Sequence, residues 1–235
     1  SPDVDLVGVT ISDGDTAARA KVAAKLLHRT GHAAVPLAVG RATPPPDSVD
    51  YQFTWAEDFT ALQPLSTTAA DFIVETLRRS PGAITLIAVG PLQNIADAVR
   101  KEPELGRLAK RIVLMSGSIG GNAWSPTPFA EWNVVRAIED ARLVYSRLPL
   151  TIVPLDATDD VPVPADLADR LATDTAPGGV GLMHELLVHN PFLLDPTQGN
   201  FLWDELAAVT LSDPTVASWD EVRVVVGPRG ELTRD

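Results

Sequence analysis

The sequence predicts an α/β fold: a largely parallel central sheet flanked by helices, with a more helical C-terminal portion. Three observations carry this. Short β-branched runs at 6–11, 35–39, 84–89, 111–115 and 150–154 are almost continuously apolar, as strands buried on both faces of a parallel sheet are. Stretches with apolar residues at helical spacing separate them. After residue 154 the spacing turns predominantly helical.

Taken in order, the run 6–11 leads into Asp13-Gly-Asp15. Such an acidic turn commonly caps a helix, here one opening at Thr16, and its other reading is a metal or ribose contact. Ala17, Ala20, Ala24 and Leu27 then share one helical face. Gly31 breaks that helix, so His28 and His32, although four apart, read as surface residues rather than a ligand pair. The strand 35–39 runs into the Pro-rich stretch 41–46 and the aromatic segment 51–55, a long loop of the kind that often carries function. Ala69, Phe72, Ile73, Thr76 and Leu77 mark the next helix, and the strand 84–89 passes into Gly90-Pro-Leu-Gln-Asn94, where Pro91 fits a first helical turn.

The strand 111–115 is followed by the glycine-rich Ser116-Gly-Ser-Ile-Gly-Gly-Asn122 and then Ala130-Glu-Trp-Asn133. The strand 150–154 precedes an acidic stretch from Asp156 to Asp160. Helices are expected at 163–172, 180–189 and 203–211, with a final hairpin built around Gly227-Pro-Arg-Gly230. There is no repeat, heptad or low-complexity linker, so 1–235 reads as a single domain.

Composition narrows the function. Lys+Arg number 19 against 31 Asp+Glu, a formal charge of −12 that repels nucleic acid backbones and anionic membrane surfaces. Without cysteine there is no disulfide framework, thiolate metal site or cysteine nucleophile, and the balance favours the cytoplasm. No apolar run approaches the roughly 18 to 20 residues of a membrane-spanning helix. Gly-x-Gly-x-x-Gly and Walker patterns are missing, and Ser116 and Ser118 do not form a Gly-x-Ser-x-Gly nucleophile elbow. The glycines after 111–115 let backbone approach a ligand closely, while Asn122, Glu131 and Asn133 offer the donors and acceptors a polyhydroxyl sugar needs. Equally, Glu131 and Asn133 read as the cap of a following helix, and Asp204 as the cap of the helix at 203–211.

In this order the segments resemble the inosine-uridine preferring nucleoside hydrolase family. The resemblance rests on Val7-Gly-Val-Thr10, Val35-Pro-Leu-Ala-Val-Gly40, the run from Ile84 through Val89-Gly-Pro-Leu-Gln-Asn94 to Ala96, and Ile112-Val-Leu-Met115. It continues through Gly121-Asn122, Glu131-Trp-Asn133, Pro154-Leu-Asp156 and Trp203-Asp204, and so covers roughly 4–212. It implies metal-assisted hydrolysis of the N-glycosidic bond of ribonucleosides through an oxocarbenium-like transition state. A bound Ca²⁺ would be held by Asp204 and the Val89 carbonyl, and Asn122 and Glu131 would hold the 5′ side of the ribose. Asn133 would take its other hydroxyls, and Met115 would line the pocket.

The resemblance also implies a preceding β-α unit of about 30 residues bearing an Asp-rich turn with the catalytic base. No Asp-x-Asp-x-x-x-Asp-Asp pattern occurs in this sequence, so no catalytic base is assigned. At the residue preceding the ligand Asp, where some members have His, this chain has Trp203. The expected partner is a small nucleoside, with the chain acting as a homo-oligomer, dimer or tetramer, in purine or pyrimidine salvage and nucleoside catabolism. The other expectations are a non-catalytic ribose- or nucleoside-binding or regulatory subunit, and an inactive fragment of such a hydrolase.

Overall fold

The computed structural model describes residues 4–44, 53–120, 130–173, 180–188 and 200–235. The chain folds as two compact units, one formed by Ser1–Asp5, Thr67–Val161 and Trp203–Asp235, the other by Leu6–Ser66 and Pro162–Leu202.

In the Leu6–Ser66 and Pro162–Leu202 unit, β1 (Val9–Ile11) and β2 (Leu37–Val39) pair in parallel, with Val9 opposite Leu37, and α1 (Thr16–Arg29) crosses between them. Asp15 caps α1: its Oδ1 accepts from the N–H groups of Ala17 at 3.1 Å and Ala18 at 3.0 Å, two donors that the first turn leaves without intrahelical partners. The helix stops at Thr30, and Gly31 takes φ 77°, a backbone region where a Cβ is costly. Ala20, Ala24 and Leu27 bury the apolar face against Val9, Ile11, Leu37 and Val39, and His28 and His32 are exposed. Two helices, α8 (Leu167–Thr173) and α9 (Val180–Val188), complete the described part. Glu185 of α9 accepts from the Trp55 indole at 2.9 Å and pairs with Arg29 at 2.9 Å.

The other unit holds a three-stranded parallel sheet, β3 (Thr85–Ala88), β4 (Arg111–Met115) and β5 (Thr151–Val153), with β4 central. Its crossovers are α3 (Gln93–Lys101) and α4 (Leu105–Leu108), then α5 (Trp132–Val135) and α6 (Ile138–Arg147). Preceding them is α2 (Ala69–Arg79), capped by Thr68, whose Oγ1 accepts from the Asp71 N–H. The period-2 alternation of β4 feeds two cores. Ile112 and Leu114 join Leu77, Leu92, Leu105 and Val144, whereas Val113 and Met115 meet Val153 and Ala207. Ala207 belongs to α10 (Trp203–Val209), and α7 (Leu155–Thr158) follows β5 directly. The chain ends in the expected antiparallel hairpin, β6 (Val224–Val226) with β7 (Leu232–Arg234).

Two local expectations are corrected. Pro91 lies outside the helix: α3 begins at Gln93 with Leu92 at its cap, and Gly90 forms a bend between strand and helix. Asp204 does not cap its helix, since Trp203 is already helical and places Asp204 in the first turn.

Candidate functional site

The carboxyl ends of β3, β4 and β5 bring the expected residues of this unit together. Parallel strands expose unpaired backbone and loops at that edge, which is where ligands bind in open α/β sheets. Val89 follows β3, and because Ala88 is paired with Leu114, it comes level with Met115 on the neighbouring strand. It is 39% exposed, so its backbone lies near the surface.

Met115 is the buried last residue of β4, and Asn133 is fastened to it. The Asn133 amide donates to the Met115 carbonyl at 3.0 Å and lies 3.5 Å from its sulfur. Glu131 sits two residues earlier and is only 4% exposed. Its Oε1 accepts from the Asn133 N–H at 2.7 Å, and its Oε2 accepts from Gly117 at 2.9 Å and Val134 at 3.3 Å. Glu131 therefore caps α5 and ties it to the turn after β4. Burial pushes its pKa above the ordinary carboxylate value, and the N–H groups of Gly117, Asn133 and Val134 pull the other way. Behind this layer the Tyr145 hydroxyl donates to the Ser116 carbonyl at 3.3 Å. Burial raises the pKa of this phenol too, and the Glu131 charge adds to the shift.

Asp204 reaches the same edge from α10. One turn on, Ala207 packs with Met115, which fixes the helix against β4. Asp204 is an exposed residue, yet the protein beside its carboxyl strips enough hydration to push its pKa up to about 7, with Glu205 and then Glu131 repelling its charge. Asn122 lies outside the described residues. The side chains of Ser116 and Ser118 are fully buried.

Sequence reasoning left three participants without a role. Tyr145 belongs to no motif, and Asp156 and Asp159 fall in an acidic stretch of open meaning. Asp156 accepts from the Ile119 N–H at 2.8 Å and the Gly120 N–H at 2.7 Å, and Asp159 accepts from the Trp203 indole at 2.8 Å. Their partners lie 36 to 44 residues away in sequence, beyond the reach of any local pattern. The Asp13-Gly-Asp15 turn belongs to the other unit. There Asp13 is buried with φ 64° and accepts from the Thr43 hydroxyl at 2.7 Å, while Asp15 serves α1.

Ca²⁺ takes about six to eight oxygen ligands. Asp204 is a suitable hard donor whose ionised form a cation would favour, and the Val89 carbonyl is a second. Among the described residues no group of three or more His, Asp or Glu side chains gathers to hold a metal ion, so the donors present do not complete a calcium site.

Comparison with known proteins agrees with this architecture. The family described as inosine-uridine preferring nucleoside hydrolase matches residues 1–235. An uncharacterized protein of Schizosaccharomyces pombe is 30% identical over 252 residues, covering 99% of this chain and 80% of the relative. The pyrimidine-specific ribonucleoside hydrolase RihB of Escherichia coli is 40% identical over 115 residues, a match covering 48% of this chain and 36% of that protein. Among solved structures, the plant nucleoside hydrolase PpNRh1 aligns with TM-score 0.86 at 21% identity, over 100% of this chain and 80% of its own. The purine-preferring ribonucleoside hydrolase of Gardnerella vaginalis aligns with TM-score 0.83 at 20% identity, over 100% and 81%. With a family match over its whole length and a fold shared with solved ribonucleoside hydrolases, the chain belongs to the inosine-uridine preferring nucleoside hydrolase family.

Proposed function

We propose that this chain hydrolyses the N-glycosidic bond of ribonucleosides to ribose and free base. The observation that carries the reading is the placement of two carboxylates at the end of β4: Glu131 accepts from the Gly117 N–H just after the strand, and Asp204 lies three residues before Ala207, which packs with Met115. Breaking the bond between ribose and base develops positive charge on the sugar, which a nearby carboxylate stabilises in its ionised form. Asn133, held by its amide on Met115, keeps its carbonyl oxygen for a ribose hydroxyl. Glu131 has each oxygen engaged by backbone N–H groups but retains lone pairs for the 5′ hydroxyl, with Asn122 as its expected companion. Met115 forms the apolar floor between them.

Calcium is the ion the resemblance implies, with Asp204 and the Val89 carbonyl as its contacts. Because the described donors do not complete its shell, no step is assigned to it. A nucleoside substrate, a homo-oligomeric state, a cytoplasmic location and a place in nucleoside salvage or catabolism belong to the same proposal. Supporting a small neutral substrate over nucleic acid is the charge of −12. Among the described residues no helix is long and apolar enough to cross a membrane.

A second reading is a ribose- or nucleoside-binding chain without turnover. Reducing-sugar release from inosine and uridine, run beside calorimetric binding of ribose, separates them. Release supports the hydrolase, and binding without release supports the second reading. Neither binding nor release overturns both.

A further inference from the structure

We propose that the short helix α7 is a two-sided positioning clamp for the site, with Asp156 setting the glycine-rich turn after β4 and Asp159 setting the start of α10 through Trp203. The proposal rests on the nucleoside reading above.

Four contacts motivate it. The two oxygens of Asp156 take the consecutive N–H groups of Ile119 and Gly120 at 2.8 and 2.7 Å, so one carboxylate fixes both the position and the orientation of that backbone. Next to it, the Leu155 N–H donates to the Gly117 carbonyl at 2.8 Å. Gly117 is the residue whose own N–H donates to Glu131, so the turn is gripped from α5 on one side and α7 on the other. Three residues after Asp156, Asp159 accepts the Trp203 indole N–H at 2.8 Å. Trp203 immediately precedes Asp204, and its ring packs with the Met115 and Ala207 cluster.

The chemistry of these bonds gives the clamp its force. A carboxylate accepting N–H donors is held more tightly than a neutral acceptor, and bonds to two successive amides leave the turn little freedom to rotate. One turn of helix separates Asp156 from Asp159, which makes the spacing between the turn and α10 a property of α7 itself. Neither aspartate needs to touch the nucleoside. Asp156 acts on the chain that runs on toward Asn122, and Asp159 acts on the carboxylate of Asp204. At Trp203 the indole N–H is directed at Asp159, so this side chain serves to orient its neighbour.

The test is a double-mutant cycle on Asp159 and Trp203, read as kcat and KM for uridine and inosine together with the thermal midpoint of each variant. Asp159→Ala and Trp203→Phe each remove the bond, and each is expected to lower kcat/KM by about tenfold or more, the scale at which small misplacements act. The double variant is expected to be no worse than either single change. Asp159→Asn retains the carbonyl acceptor and is expected to stay within about threefold of wild type. Asp156→Ala is expected to raise KM, because it loosens the sugar side of the site. Additive losses, or no rescue by Asp159→Asn, overturn the clamp. So does a loss of activity that tracks the fall in thermal midpoint across all five variants. Wild-type protein that neither turns over nor binds these nucleosides overturns the underlying functional reading and the clamp with it, whereas normal wild-type turnover with unaffected variants overturns the clamp alone.

Discussion

At residue 131 the structure shows one of the two roles that the sequence offered: Glu131 caps α5 with its own carboxylate. Its contact with the sugar belongs to the proposed function. Glu131→Gln leaves one good acceptor where three N–H groups converge, and is expected to lower stability by about 1–2 kcal/mol. The pH dependence has a definite sign. Because burial raises the folded-state pKa of Glu131, its contribution to stability is complete below the ordinary carboxylate value and declines as pH rises through the raised one. Gln does not titrate, so the gap in thermal midpoint between wild type and Glu131→Gln should narrow from pH 4 to pH 8. Melting curves in which the gap widens toward pH 8 would contradict the burial argument. A second expectation concerns Gly117, which adopts φ 80° while an added Cβ would lie 2.1 Å from a methyl of the buried Leu232. Backbone strain and overpacking together predict that Gly117→Ala costs about 2–5 kcal/mol, measurable by urea unfolding.

Among the elements, apolar runs located the strands well and their ends less well. The run 111–115 coincides with β4, whose residues are buried on both faces against two different cores. By contrast the run 6–11 shrinks to Val9–Ile11, and Leu6 and Val7 are 43% and 42% exposed. A continuous apolar pattern reports that a segment avoids water, but a strand also needs a partner in register, and β2 reaches only far enough to pair with 9–11. The capping role of Glu131 was legible because the N–H groups of Asn133 and Val134 that it takes lie two and three residues away. Asp156 of α7 and Asp159 just after it were not, since the residues they hold are brought near only by folding. The cap of α1 gives a test at this scale: Asp15→Ala is expected to destabilise the protein by about 1 kcal/mol and Asp15→Asn by much less, as both Asn and Asp accept well at that position. Equal losses in the two variants would mean that the charge at the helix start, and not the accepted hydrogen bonds, is what matters.

For the whole molecule, the excess of 12 negative charges predicts behaviour that no single site controls. The protein is expected to flow through a heparin column at about 50 mM salt and to bind an anion exchanger under the same conditions, because its field opposes polyanions. Retention on heparin would reveal a basic patch that the charge count conceals. The fold class was readable at this scale because alternating strand and helix patterns leave few ways to cover a parallel sheet. How the chain divides into two compact units was not, since each unit is assembled from segments far apart in sequence. The contact between Gly117 and Leu232 adds a dimension of time. A growing chain makes the turn at Gly117 more than a hundred residues before it makes Leu232, so at typical rates of synthesis the turn waits on the order of 10 s for the side chain that packs beneath it. Throughout that interval the turn lacks the side chain that packs against it.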